Sequence, residues 1–318
     1  MLDFIASPIN LQNGSEDDIV NIRYKPLGIG LGDCCFASDE DGLHCFYIVR
    51  DESLKPDCSA EGQEVAIGHG VGKDIFSMNQ ITDAIDIRQR CNDCSHIWAP
   101  SVVYNNGKWH MFYTAVKDEY QTIAVAHSDD LYNWNRHNKN TVIDCGVFYW
   151  ALSDKNGYTN CRDPYVTYLS GTWYCYYTAM NTNGNACVGV CTSNNLVKWH
   201  DRGTCLERIW QNGEGAGTEL CESPCVFMKD GLYYLVYSQG LGLKYAVSYD
   251  PLDFSASPIM VLHPGSLPNN VPYNFELLDI NTGLFGYLCG GYYSLAAFGF
   301  CDIDNGKLRI RKINTIAK

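Results

Sequence analysis

Apolar and polar residues alternate with a period of two along most of the chain, and almost nowhere with the 3.6-residue period of a helix. The alternation comes in packets. Gly107-Lys-Trp-His-Met-Phe-Tyr113, Gly171-Thr-Trp-Tyr-Cys-Tyr-Tyr177 and Gly231-Leu-Tyr-Tyr-Leu-Val-Tyr237 each read as the second strand of a hairpin whose turn carries the glycine. Each has a proline seven residues before that glycine: Pro100, Pro164 and Pro224. Gly42 followed by Leu43 to Val49 is a fourth hairpin of this kind, and Asn281-Thr-Gly283 followed by Phe285 to Cys289 is a looser fifth. A third strand recurs in Val65 to Met78, Ile123 to Trp134, Val188 to Trp199 and, more weakly, Tyr245 to Phe254. Two of these copies end in Asp130-Leu131 or Asn195-Leu196 and then a tryptophan.

The marker glycines Gly42, Gly107, Gly171, Gly231 and Gly283 are separated by 65, 64, 60 and 52 residues. Four strands plus loops fit that spacing, and a fixed repeat is the sign of a repeat architecture. The pattern predicts an all-β fold, a single five-bladed β-propeller, within the range of about four to eight blades usual for such rings. Residues 1–26 show no period and are expected to form an N-terminal arm, with residues 27–318 as one propeller domain and no second domain. A β-sandwich is the rival, but it has no use for a recurring third-strand signature.

Composition narrows the classes. With 22 Tyr and 7 Trp the chain leans towards β structure and surfaces that stack on flat ligands. A net charge of -13 disfavours a nucleic-acid partner. No stretch approaches the roughly 20 apolar residues of a membrane helix. The first ten residues lack the basic start and apolar run of a signal peptide, so a cytoplasmic location is the expectation. The 16 cysteines raise the question of disulfides. Cys45, Cys175, Cys225 and Cys289 fall inside strand-like runs, which favours buried free thiols. Cys91-Asn-Asp-Cys94 has no second pair and is a weak zinc signal.

In a propeller the innermost strands converge on one axis, so equivalent positions at their starts meet in one funnel. Counted back from the glycines, those positions hold Asp33, Trp98, Arg162 with Asp163, and Glu222. Three carboxylates, an arginine and a tryptophan are the groups glycoside chemistry uses: an acid for the leaving oxygen, a carboxylate to attack or activate water, and donors and aromatics to hold the sugar. His69, in the third strand of the first unit, is a further substrate-binding candidate, with a core histidine as the alternative.

At these residues the sequence resembles the five-bladed propeller glycosidases, glycoside hydrolase families 43 and 32, over roughly residues 27–315. Arg162-Asp163-Pro164 resembles the Arg-Asp-Pro motif of family 32, and Glu222-Ser223-Pro224 the Glu-x-Pro motif of both families. Trp98-Ala99-Pro100 is similar to the Trp-Ala-Pro of family 43, and Ile67-Gly68-His69 through Ile75 to a Gly-His stretch of these enzymes. The resemblance implies Glu222 as general acid, Asp163 as transition-state stabiliser and Asp33 as nucleophile or base. Asp33 is followed by Cys34 where these families have proline, the Trp-Met-Asn-Asp-Pro-Asn-Gly box of invertases is absent, and no segment reads as the C-terminal β-sandwich of family 32.

The expected activity is therefore hydrolysis of glycosidic bonds in pentose-type or related oligosaccharides, with a fructosidase as the first alternative. A catalytically inactive carbohydrate-binding propeller is the second alternative. A phosphorolytic enzyme ranks last, because it would need more basic residues than Arg162, His69 and His96. Glu222 is expected to have a raised pKa from burial and neighbouring carboxylates. No cofactor motif is present and no metal ligands can be named, although the resemblance allows a calcium on the axis. Val142 to Asn160, Trp210 and the loop Gln211 to Thr218 are expected to form the substrate rim.

Overall fold

Asn-Gly, Ser-Gly and Asp-Gly pairs favour two-residue turns in which both residues have positive φ, the turn whose twist matches that of paired strands. Asn106-Gly107, Ser170-Gly171 and Asp230-Gly231 form such turns, with φ of 51° and 79°, 49° and 89°, and 52° and 78°. The computed structural model describes residues 15–87, 93–154, 158–208, 220–240, 242–263 and 272–313. Trp210, the loop Gln211 to Thr218, and Cys91 of the Cys-x-x-Cys pair lie outside the described residues.

Five antiparallel sheets follow one another as blades of a propeller. Blade one runs Ile29–Ser38, Leu43–Asp51 and Ala66–Gly72, edged by Asn79–Gln80 and Ile85–Asp86. Blade two is His96–Asn105, Lys108–Lys117, Tyr120–Ser128 and Asn135–Ile143, and blade three is Cys161–Leu169, Thr172–Met180, Ala186–Ser193 and His200–Arg208. Blade four is Glu222–Lys229, Leu232–Ser238, Leu243–Ser248 and Met260–His263. Blade five is Tyr273–Asp279, Leu284–Cys289, Leu295–Asp304 and Lys307–Ile313. Each inner strand packs against the next, and the fifth against the first.

The core sits between the blades. Phe46, Ile67, Met111 and Tyr113 fill the space between blades one and two, and Phe112, Val125, Cys175 and Tyr177 that between two and three. Tyr176, Val190, Leu235 and Phe254 join blades three and four, and Phe227, Val236, Phe275 and Phe285 join four and five. Leu31, Tyr47, Leu288 and Phe298 join five to one, together with Ile19, Val20 and Tyr24 from the N-terminal segment. All fifteen described cysteines are unpaired, and only Cys58 and Cys94 are not buried.

The N-terminal segment takes part in the ring. A short helix, Glu16–Val20, capped reciprocally by Ser15 and Asp18, leads to the strand Arg23–Tyr24. That strand pairs with Ala296 and Ala297 of blade five, and Leu31 of blade one bridges to Ser294. Glu16 and Asp17 pair with Arg311 and Lys312 on the outermost strand of the same blade.

The third-strand signature also has a physical account. Asp130 accepts the backbone N–H groups of Tyr132 and Asn133 at 2.9 and 2.7 Å, and Asn195 accepts those of Val197 and Lys198 at 3.0 and 2.9 Å. Each side chain thereby folds a turn that pushes the next leucine, Leu131 or Leu196, into the core.

The turn glycines differ in what surrounds them. A Cβ at Gly171 meets nothing within 4 Å, whereas at Gly283 it would stand 1.8 Å from the carbonyl oxygen of Cys301. Gly171→Ala is expected to cost only the left-handed backbone term, about 1–2 kcal/mol. Gly283→Ala is expected to cost at least about 3 kcal/mol, since it adds a steric clash with a sheet. Denaturant unfolding of the two variants checks this; equal losses would contradict it.

Candidate active site

Every inner strand carries the same irregularity. Its ladder to the second strand holds at Leu31–Val49, Trp98–Thr114, Arg162–Thr178, Glu222–Ser238 and Tyr273–Leu288. It resumes at Cys34–Tyr47, Ser101–Phe112, Tyr165–Tyr176, Cys225–Val236 and Glu276–Gly286. Three steps on the inner strand therefore face two on its partner, which is a β-bulge. In four blades the first of the two residues inside the bulge is left-handed: Ala99 at φ 39°, Asp163 at 56°, Ser223 at 50° and Asn274 at 53°. Gly32 holds the slot in blade one. Pro100, Pro164 and Pro224 come next, where a missing N–H breaks no ladder bond and where proline drives the preceding residue out of the right-handed helical region.

The bulges place five of the six candidate residues around one cleft of about 670 Å³: Asp33, Trp98, Arg162, Asp163 and Glu222. Asp163 is buried. Its Oδ2 accepts the hydroxyl of Thr178 at 2.9 Å and the backbone N–H of Ser223 at 3.2 Å, with Nε of Arg162 3.8 Å away. Its own N–H donates to Thr114 at 3.0 Å. Asp33 accepts the Ser223 hydroxyl at 2.6 Å. Arg162 donates from Nη2 to Oε1 of Glu222 at 2.5 Å and from Nη1 to Asn160 at 2.5 Å. Trp98 stacks on His96, ring centres 5.6 Å apart, and its indole N–H is buried without a hydrogen-bond partner among the described residues.

Burial, then the charge of Asp163, pushes the Asp33 carboxyl up to about 7, against the pull of Ser223 and Arg50. Asp163 is also raised, first by burial and then by Glu222, while Arg162 opposes the rise. Asp33 and Asp163 therefore titrate as a coupled pair.

Three expectations need correction. Counting nine residues back from Gly42 put Asp33 level with Trp98, Arg162 and Glu222; the ladder puts Leu31 there, and Asp33 falls in the slot of Pro100, Pro164 and Pro224. The cause is turn length, because Ser38 pairs with Leu43 across four residues where blades two to four use two. Glu222 is not buried: its side chain is 48% exposed, held by Arg162 at the cleft wall. His69 does not line the cleft. It is fully buried in blade one, stacked on Phe46 at 4.3 Å, with Nε2 2.8 Å from Nδ1 of His44.

The cleft also holds residues the motifs did not flag. Arg50 donates to Glu64 at 2.7 Å and to the carbonyl of Tyr292 at 2.9 Å, and its guanidinium lies 4.5 Å from the Tyr292 ring centre. Tyr273, Gln121 and Gln239 line the same space. Arg50 and Gln239 share a ladder level, one step past Val49 and Ser238. Below the carboxylates the axis narrows to a cavity of about 20 Å³, reached by Cys34, Ser101, Tyr165 and Glu276. Burial raises the Glu276 carboxyl to about 8. The cavity lining mixes the thiol of Cys34 with the carboxyls of Asp33, Asp163 and Glu276 and the oxygens of Ser101, Tyr165 and Asn274. Among the described residues no group of three His, Cys, Asp or Glu could hold a metal.

Solved structures share this architecture. A thermostable family-43 glycoside hydrolase superposes with a TM-score of 0.65 at 17% identity, covering 92% of this chain and 95% of its own. A family-32 β-fructofuranosidase from Bombyx mori gives 0.67 at 15% identity, covering 94% and 68%. A family-43 enzyme from Xanthomonas citri, solved with xylotriose, gives 0.67 at 14% identity, covering 94% and 95%. At these identities the likeness is one of fold, and the fold it defines is the five-bladed β-propeller. Residues 41–245 match the glycosyl hydrolases family 32 N-terminal domain, more than half of the chain, and the chain belongs to that family. The match takes in Trp98, Arg162, Asp163 and Glu222 and begins after Asp33. No curated protein sequence matches the chain.

Two stability measurements follow. A carboxyl raised in the folded state favours folding fully below its unfolded value and loses that contribution as pH climbs through the folded value. Asp33→Asn is therefore expected to raise Tm at pH 8 by about 2–4 °C and to do less at pH 5. A larger gain at pH 5 would contradict this. Burial and His44 hold His69 down at about 3, so protonation of the unfolded chain penalises folding as pH falls below 6.5. His69→Gln is expected to flatten that loss of Tm between pH 6.5 and 4 and to leave the cleft's chemistry unchanged within about twofold, His69 being outside it. An unaltered pH slope would contradict it.

Proposed function

We propose that the protein hydrolyses furanosidic bonds, with fructofuranosyl and arabinofuranosyl oligosaccharides as the two substrate groups to separate. The observation that carries this reading is the convergence of Asp33, Asp163 and Glu222 on one cleft with Arg162 and Trp98. Membership of family 32 and the Arg162-Asp163-Pro164 motif favour a fructoside. Trp98-Ala99-Pro100 and the resemblance to family 43 favour a pentoside.

Placement in the cleft supports the following roles. In this reading Glu222, the most exposed of the three carboxyls, protonates the glycosidic oxygen. Arg162 must release it to do so, and a sugar hydroxyl can take its place on the guanidinium. Asp33 lies deeper and attacks the anomeric carbon or activates water. A carboxyl separation of about 5 Å goes with retention and about 6.5–9.5 Å with inversion. Asp163, held by Thr178 and the Ser223 N–H, is fixed too firmly to travel and stabilises charge on the ring. Trp98 supplies an aromatic wall to the sugar.

Hydrolysis of sucrose and short fructans, aryl arabinofuranoside and aryl xyloside would test the reading. Turnover of sucrose, a fructan or the arabinofuranoside is expected; turnover of the xyloside alone, or of none, would overturn it. Glu222→Gln and Asp33→Asn are each expected to lower kcat by at least about a thousandfold, within the range removable by losing an essential acid or attacking group. Rates near wild type in both would remove the mechanism. Because Asp33 must be ionised to attack, the rate is expected to rise with pH through about 7. A rate limb centred near pH 4 would assign the attack to another group.

A further inference from the structure

We propose that Ser223 is a positioning residue that aims Asp33: its hydroxyl fixes the Asp33 carboxylate while its backbone N–H fixes that of Asp163, so one residue sets the two relative to each other. This assignment rests on the glycosidase reading for its consequence in turnover, and on geometry alone for the contact itself.

Four observations support it. The Ser223 hydroxyl lies 2.6 Å from Oδ2 of Asp33 and the Ser223 N–H 3.2 Å from Oδ2 of Asp163. Ser223 is buried, and it is the sole hydrogen-bond donor to Asp33 among the described residues. Its φ of 50° is a region where glycine would be free of strain, so a side chain kept there is kept against a local cost. The same slot in the other blades offers Asp33 no donor. The Ala99 side chain has no polar atom, and Asn274 instead accepts the N–H of Cys34 at 2.8 Å, pinning the backbone next to Asp33. Backbone and side chain of the attacking residue are thus held from two different blades. Pro224 and the bulge fix where Ser223 points, and Glu222 is its neighbour in the chain, so all three carboxylates are referenced to this one turn of backbone.

The test uses Ser223→Ala, Ser223→Gly and Ser223→Cys in the full chain. For each, kcat and KM are measured against pH on whichever substrate the wild type turns over. The Asp33 carboxyl is titrated by carbon NMR on aspartate-labelled protein, its signal identified by its absence in Asp33→Asn. Loss of a hydrogen bond to a charged group is expected to lower kcat about ten- to hundredfold in the alanine and glycine variants, with KM changed less than about threefold. The acid limb of the rate is expected to move to higher pH, and Ser223→Cys to recover part of kcat. Ser223→Gly relieves the backbone strain and is expected to melt no lower than wild type, which separates lost aim from lost fold. Wild-type kcat and an unmoved limb in both the alanine and glycine variants would overturn the proposal. If the wild type turns over none of the substrates, the glycosidase reading fails by itself. The carboxyl titration then decides alone: an upward shift in Ser223→Ala upholds the contact, and an unchanged titration overturns it.

Discussion

One surplus residue in each inner strand is what the rest of the molecule depends on. A regular ladder would lie flat against the axis and present alternate side chains to it in register. The extra residue breaks the ladder at the same height in all five blades and turns the next side chain across the mouth of the funnel. It also leaves an N–H without its usual partner, and neighbouring blades supply one: Thr114 for Asp163, Asp163 for Ser223, Ser238 for Asn274. The irregularity that opens the site is thus the feature that stitches the blades together there. Function and closure of the ring share the same backbone atoms.

The site holds more negative charge than its burial favours. Asp33 and Asp163 have one guanidinium each within influence, Arg50 and Arg162, and each arginine is already committed to a glutamate, Glu64 or Glu222. Four carboxyls thus share two guanidiniums, and burial, then the neighbouring carboxylates, holds both aspartates above the ordinary carboxylate range. Sites of this kind concentrate destabilising groups where chemistry needs them and draw their support from the surrounding core. Here that support is the tyrosines and phenylalanines packed between the blades.

Much of this was legible in the sequence, because the proline-to-glycine frame reports two physical facts at once. The glycine marks a two-residue turn that needs positive φ, and the proline marks the bulge where an N–H is dispensable. Where both are present, at Pro100, Pro164 and Pro224, the register came out right and Trp98, Arg162 and Glu222 fell together. Blade one has neither signal in the same place: its turn is longer and Cys35 stands at the proline spacing. Asp33 therefore reaches the cleft from a different ladder level than the glycine count gives. The sequence carries a further signal. A hydroxyl follows each packet seven residues after its glycine, at Thr114, Thr178 and Ser238, and two of these accept the N–H of the neighbouring blade's left-handed residue. Arg50 was invisible because a single arginine ending a strand carries no pattern. His69 was over-read, since a histidine beside glycine satisfies the motif equally well when it is packed on Phe46.

Pairing of Arg23–Tyr24 with Ala296–Ala297 has a consequence for how the protein comes into being. The two strands lie almost the full length of the chain apart, and the pocket between blades five and one is filled from both. During synthesis the first blade must wait, its apolar flank uncovered, until the last has left the ribosome. Earlier blades can pair strand by strand as they emerge, but the ring locks in a single late step. Such long-range closure carries the entropy of the whole intervening chain and makes assembly slow. It also means that a chain cut short in the final blade would leave an exposed edge on its first.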